Sequence, residues 1–249
     1  MKMMWGIVVV GVFMMGAASV CAEEALRPSV AAGVDLRTAY IYRATVYNDG
    51  YVVQPWAEAT VGPVTVGVWA NHDLEDFGGT LEKNRISEVD LTLAYALPSI
   101  YGWDSSIGYA EYLFPNVADG EGGALLGTRE VIVTVGRPIG GGFAVRSVLS
   151  YDVDQVEDYH AALRLSFAHT LCSKTTFSAY GQGGYVGRKF SASGESGFYD
   201  YDVRLSVSYA LNDHLELGIM GGYTGSLDTE VLADPSENVY GGLSVATFF

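Results

Sequence analysis

The chain has 249 residues, with 14 Lys and Arg against 29 Asp and Glu, giving a net charge of −15. That balance excludes a nucleic-acid binder, which needs a basic face. Two cysteines exclude a disulfide scaffold, while 49% hydrophobic residues, 31 Gly and 17 Tyr suit a chain of many strands.

Lys2 supplies a positive start, 3–18 is apolar, and Val20, Cys21 and Ala22 end the run with residues that a signal peptidase reads. The run is too short for a permanent anchor and is followed at once by Glu23 and Glu24. Residues 1–22 therefore read as a cleaved signal peptide and 23–249 as one domain. Cys21 raises a lipoprotein alternative. A lipobox wants a small residue before its Cys, and Val20 stands there, so cleavage after Ala22 is the expectation. Cys172 is then the one cysteine left, and no internal disulfide can form. Without a CxxC or Cys/His cluster, neither a metal nor a cofactor is expected. Nothing after the leader is apolar for long enough to make a membrane helix.

From residue 30 onward the chain instead alternates with period two, the signature of a strand between two different solvents. In 30–42 the even positions (Val30, Val34, Leu36, Tyr40, Tyr42) are apolar or aromatic, and the odd ones include Asp35, Arg37 and, just beyond, Arg43. Tyr40 and Tyr42 are expected in an aromatic girdle at the far end of this strand. The return strand, 51–61, sets Val53, Pro55 and Ala57 against Gln54, Trp56 and Glu58. Pro55 removes a ladder donor and predicts a local bulge or irregularity. After the Gly62-Pro63 turn, 64–72 opposes Val64, Val66 and Val68 to Thr65, Gly67 and Trp69. Strand 86–97 opposes Leu91, Leu93 and Tyr95 to Glu88, Asp90 and Thr92. Strand 103–114 alternates weakly, with Ile107, Tyr109 and Leu113 on the face of Glu111, and its facing stays open. Strands 128–137, 143–153 and 159–168 place Glu130, Arg146 and Arg164 on their polar faces. Strand 175–185 is rich in Gly. Strand 198–211 opposes Tyr199, Val203, Leu205 and Val207 to Asp200, Asp202 and Arg204. Strand 215–223 carries Leu217 and Ile219. The last, 239–249, ends on Phe248 and Phe249.

The count is twelve, most segments being about the 9–11 residues a tilted strand needs to cross a bilayer. Short turns alternate with longer loops, as in barrels with short periplasmic turns and long outer loops. The fold expected is a 12-stranded, antiparallel, up-and-down transmembrane β-barrel with both termini in the periplasm. The first and last strands would close it, leaving no edge in lipid. A soluble sandwich with charges outside fits the alternation too. The terminal Phe249, which resembles the signal read by the barrel-assembly machinery, and the Tyr girdles favour the outer membrane.

The stretch Gly33-Val-Asp-Leu-Arg-Thr-Ala-Tyr-Ile-Tyr-Arg43 and then Gly67-Val-Trp-Ala-Asn71 resembles the TorF family, Gram-negative outer-membrane porin-like proteins of poorly defined function. Gly108-Tyr109, Tyr112-Leu-Phe114-Pro115 and Glu130 match further short motifs of that family, and Ala44 stands where it often has Gly. The resemblance implies a porin-like barrel and no established substrate.

The candidate pore-lining residues are Arg37, Glu58, Glu88, Asp90, Glu130, Arg146, Arg164, Asp202 and Arg204. So many charges suit a wet lumen, and arginines opposed to acids would orient polar solutes and set ion preference. Passive diffusion of small solutes or ions is the expected function, with no enzymatic activity. A structural or adhesive barrel with a closed, salt-bridged lumen is the alternative. A hydrolase comes third, because Asp152, His160, Asp200 and Asp202 all fall near the outer ends of polar faces. The simpler expectation there is an acidic mouth with one solvated His. The acidic loop at Asp119 and Glu121 lacks the ordered spacing of a calcium loop. Expected partners are outer-membrane lipid, lipopolysaccharide, the assembly machinery through Phe249, and small solutes.

Overall fold

The structure is a computed structural model that describes residues 28–118, 123–232 and 238–249. The expected signal peptide with its cleavage site, and the acidic loop at Asp119 and Glu121, lie outside these residues. Among the described residues there are fourteen strands. In chain order they are β1 (Ser29–Arg37), β2 (Tyr40–Tyr42), β3 (Thr45–Asn48), β4 (Val52–Val61), β5 (Val64–Asp73), β6 (Arg85–Ile100) and β7 (Trp103–Leu113). Then come β8 (Thr128–Gly140), β9 (Phe143–Asp152), β10 (Tyr159–Cys172), β11 (Thr175–Val186), β12 (Gly197–Ala210), β13 (Leu215–Ser226) and β14 (Asn238–Phe248).

Twelve of them close a barrel in the order β1-β14-β13-β12-β11-β10-β9-β8-β7-β6-β5-β4, all antiparallel. The closing seam runs from Ala31 opposite Phe248 to Arg37 opposite Gly242. Beyond it, Val30 and Phe249 exchange both backbone hydrogen bonds, at 3.3 and 2.9 Å. Every strand in the ring therefore has two neighbours, which is what a low-dielectric surround demands of backbone amides and carbonyls.

Period two sorts the side chains. Val66, Leu93, Leu205, Ile219 and Leu243 point out and are about half exposed, as residues that face lipid rather than water must be. Trp103, Phe143 and Tyr209 form the exposed aromatic rim beside the short turns; Tyr109, Tyr151 and Tyr223 do so beside the long loops. The other face carries the buried polar residues, including Asp35, Arg37, Glu88, Glu130 and Arg204. The facing of β7, open in the sequence, resolves here. Ile107, Tyr109 and Leu113 are exposed outward, while Ser106 and Ala110 are buried.

One expectation is corrected. The first barrel strand stops at Arg37 rather than running to Tyr42. The chain leaves the wall at Thr38, whose N–H donates to Gly241 O at 3.0 Å. It then forms the separate hairpin β2–β3. Tyr40 is buried, so it belongs to no lipid-facing girdle. At Pro55 the expected bulge or irregularity takes the form of a gap in the β4–β5 ladder without a bulge. The register is the same on both sides, Val53 opposite His72 and Trp56 opposite Trp69, with only the intervening pairs missing. Pro55 still pairs with Val34 of β1, and Gln54 Nε2 reaches Asn71 Oδ1 at 3.0 Å across the gap.

Leu205 lies inside β12 with 53% of its surface exposed to the surround. Leu205→Arg is expected to lower the folding free energy by about 2–4 kcal/mol, read as a shift of the urea-dependent folding curve into lipid vesicles.

Candidate functional site

The hairpin determines the shape of the lumen. Tyr42 pairs with Thr45, so Arg43 and Ala44 make a two-residue turn with φ of 50° and 58°. Both central residues at positive φ define the mirror-image turn that suits the twist of a hairpin. Neither residue is Gly or Asn, so the backbone carries strain that its surroundings must hold.

Three contacts hold it. At the tip, Arg43 Nη1 and Nη2 donate to Glu130 Oε1 and Oε2 of β8 at 2.7 and 3.0 Å. Tyr112 of β7 adds a hydrogen bond to the same carboxylate at 3.0 Å. The guanidinium also stacks 4.6 Å over Tyr42 and 5.2 Å over Phe190 of the β11–β12 loop. On the stem, Tyr40 donates to Glu88 Oε2 of β6 at 2.6 Å and packs 5.5 Å from Trp69 of β5. At the base, Asn48 donates to Asp73 at 2.7 Å, and Asn71 donates to the same oxygen at 3.0 Å and to Ser87 at 2.9 Å. Asn48, Asn71 and Asp73 are fully buried.

A second knot closes the mouth from the other side. His160 Nε2 lies 2.7 Å from Asp200 Oδ1, and the two are 3% and 1% exposed. Phe190 and Tyr199 pack on the imidazole at 5.9 and 6.5 Å. Gly184 sits beneath the pair, where a Cβ would collide with both side chains. This corrects the expectation of one solvated His. Asp152 stands apart, accepting from Thr128 and from the backbone N–H of Asp154 and Val156. It caps a loop. The hydrolase quartet is thus not one site. Outside the wall, Lys189 meets Glu157 at 2.9 Å, and that hydrogen bond holds the ammonium above its usual range.

Below the hairpin lies a cavity of ≈ 270 Å³. Its walls differ in charge. Glu58, Glu88 and Asp90 come from β4 and β6, and Arg164 and Arg204 from β10 and β12, with Asp202 3.8 Å from Arg204; Arg37 and its partner Asp35 line it from β1, next to β4. Six steps separate β4 from β10, and β6 from β12, in the ring of twelve. Glu58 thus sits on the strand opposite that of Arg164, and Asp90 on the strand opposite that of Arg204.

The basic wall is a stacked row. Arg164 gives Nε and Nη2 to Gln182 Oε1 at 3.0 and 2.7 Å and lies 4.0 Å over the Tyr180 ring. Arg204 lies 5.3 Å from the centre of the same ring and donates to Tyr240 at 3.1 and 2.9 Å. Asp202 accepts from both phenols, Tyr180 and Tyr240. Arg37 binds Asp35 at 2.6 Å and crosses Gly242, where a Cβ would come within 2.7 Å of its Cδ. Arg146 pairs in register with Arg164.

All nine candidate residues therefore face the interior. Glu88 and Glu130 spend their carboxylates on the hairpin, and Asp202 on the tyrosines. Glu58, Asp90, Arg164 and Arg204 line the open cavity. The sequence reading missed the hairpin itself, because Tyr40 and Tyr42 continue the period of β1. It also missed Tyr180 and Tyr240, whose inward register with Arg204 and Asp202 was already readable.

No family model and no curated protein matches the chain. Among solved structures the chain is similar to the NanC porin (TM-score 0.57, 10% identity, covering 88% of this chain and 98% of the other). It is also similar to the KdgM porin solved with disordered oligogalacturonate (0.56, 7%, 89% and 99%). A third likeness is to an outer-membrane channel from Pseudomonas putida F1 (0.54, 10%, 93% and 100%). The shared feature is the fold, an outer-membrane β-barrel.

Ala44 holds a positive φ that costs an L-residue roughly 1–2 kcal/mol, partly offset by the extra freedom glycine has when unfolded. Ala44→Gly is expected to stabilise the barrel by about 1 kcal/mol on that balance, seen as a higher urea midpoint at unchanged slope.

Proposed function

We propose that the chain is an outer-membrane channel for passive passage of small polar solutes, narrowed at its outer mouth by the β2–β3 hairpin. The observation that carries this reading is a cavity in which Glu58 and Asp90 lie on strands opposite those of Arg164 and Arg204. A barrel that only needed filling would pair those charges with one another. Here Glu58 has no hydrogen-bond partner among the described residues, and Asp90 Oδ1 and Arg204 Nη1 are buried without one. Leaving such groups unmet costs stability, a cost a protein carries where the groups serve a solute. Arg37, Arg146, Arg164, Arg204, Glu58 and Asp90 would set its path. Glu88, Glu130 and Asp202 would hold the constriction and the aromatic row in place.

Two barrels of this fold are named porins and one a channel, and one holds an oligogalacturonate. They support the reading through the shared wall only. The TorF resemblance supports it differently. Its quoted residues Tyr40, Tyr42, Arg43, Trp69, Tyr112 and Glu130 are those that seat the hairpin. Membership of that family is part of the proposal. So is recognition of exposed Phe249 by the assembly machinery, and of the outer rim by lipopolysaccharide.

The buried Arg43–Glu130 pair favours a second reading, in which the hairpin is a plug and the lumen stays shut. Planar-bilayer recording separates the two. The channel reading expects small discrete current steps from the wild type, rising at least twofold when 39–50 is replaced by a short Gly-Asn turn. Steps from the shortened variant alone would support the plug. Silence from both, with folded protein, would contradict the channel.

A further inference from the structure

The unmet groups on the two walls differ in sign, and this has a chemical meaning beyond passage. A solute carrying one charge satisfies one wall and leaves the other bare. A solute with a carboxylate at one end and an ammonium at the other satisfies both. We infer that the cavity is a binding site for a small zwitterion of the amino-acid class, its carboxylate on Arg204 and Arg164 and its ammonium on Asp90 and Glu58. The inference rests on the channel reading of the same cavity and names the solute class it would select.

Four observations carry it. Arg204 is 7% exposed and lines the cavity, and its Nη1 has no partner, while Nε and Nη2 are already given to Tyr240. Arg164 also lines the cavity, its Nε and Nη2 fixed on Gln182. A guanidinium with one edge fixed and another edge open is built to receive a carboxylate. Across the lumen, Asp90 bonds Glu88 and keeps Oδ1 buried without a donor, and Glu58 is partly exposed with no hydrogen-bond partner among the described residues. Carboxylates in that state attract an ammonium, whose three N–H groups can be shared between two acids. The strands place these pairs on opposite sides of the ring, β6 facing β12 and β4 facing β10. Size is the last observation. At ≈ 270 Å³ the cavity lies just under the ~300–1,000 Å³ range of ordinary ligand pockets, which suits a single small solute better than a chain of sugars. Aromatic walls at Trp56 and Tyr112 would pack its apolar part.

Passage and binding fail separately, so binding is measured without current. The mature barrel in detergent is titrated calorimetrically with alanine, propionate and isopropylammonium, three probes of similar size and different charge. Alanine is expected to bind at least tenfold more tightly than either of the others. Arg204→Gln is expected to weaken alanine and propionate at least fivefold and leave isopropylammonium unchanged. Glu58→Gln should do the reverse, weakening alanine and isopropylammonium but not propionate. Glu58 is partly exposed and unpartnered among the described residues, so this second variant keeps the fold even where Arg204→Gln does not. Equal affinity for alanine and propionate, untouched by Glu58→Gln, would overturn the zwitterion in favour of a plain anion site. Absence of binding by any probe would overturn the site altogether. Neither result bears on whether the barrel conducts, which bilayer recording decides.

Discussion

The interior depends on one buried charge pair. Glu130 is 3% exposed and faces a lumen shaped by its partner. A carboxylate in that position is costly unless a cation and hydrogen bonds compensate it. Arg43 supplies both, through a two-oxygen, two-nitrogen contact that only a guanidinium can make. To bring Arg43 there, the chain must leave the wall after β1, turn at two residues of positive φ, and return to the wall at β4. The hairpin, the narrowed mouth and the early end of β1 all result from that requirement. Tyr40 on Glu88 and Asn48 on Asp73 then fix the stem and base.

The rest of the lumen is arranged around the space left below. The hairpin takes up the acids nearest the mouth and leaves Glu58 and one oxygen of Asp90, whose carboxyl also bonds Glu88, on one side. On the other side, Tyr180, Tyr240 and Gln182 hold Arg164 and Arg204 in a stacked row. Tyr180 and Tyr240 orient Arg164 and Arg204, and Asp202, tied to both phenols, lies 3.8 Å from Arg204. The lipid-facing wall contributes rigidity: a closed ring cannot relax one strand without breaking ladder bonds on two sides.

Much of this was legible in the sequence, for a physical reason. A strand between lipid and water must alternate, and nearly every outward position obeys, so strand number, closure and the inward charges could be read residue by residue. Pro55 was legible because proline forbids a donor; the loss appears as two missing ladder pairs bridged by a Gln54–Asn71 side-chain bond. Tyr40 and Tyr42 misled because a hairpin strand has the same period as the wall strand before it. The usual sign of a two-residue turn, Asn-Gly or Asp-Gly, is absent where Arg43 and Ala44 stand. Pairings such as Arg43 with Glu130, 87 residues apart, depend on the ring that sets one against the other. The His160–Asp200 pair was hidden likewise, since burial by Phe190 comes from a distant loop.

The most direct test is a double-mutant cycle on Arg43→Ala and Glu130→Gln, with folding free energy measured by urea titration in lipid vesicles. If the pair anchors the hairpin in the lumen, the two changes are strongly non-additive, with a coupling of at least about 1.5 kcal/mol. The double variant would then be little worse than the more damaging single one. Additivity to within about 0.5 kcal/mol would mean that the two residues do not support each other, and would contradict the account.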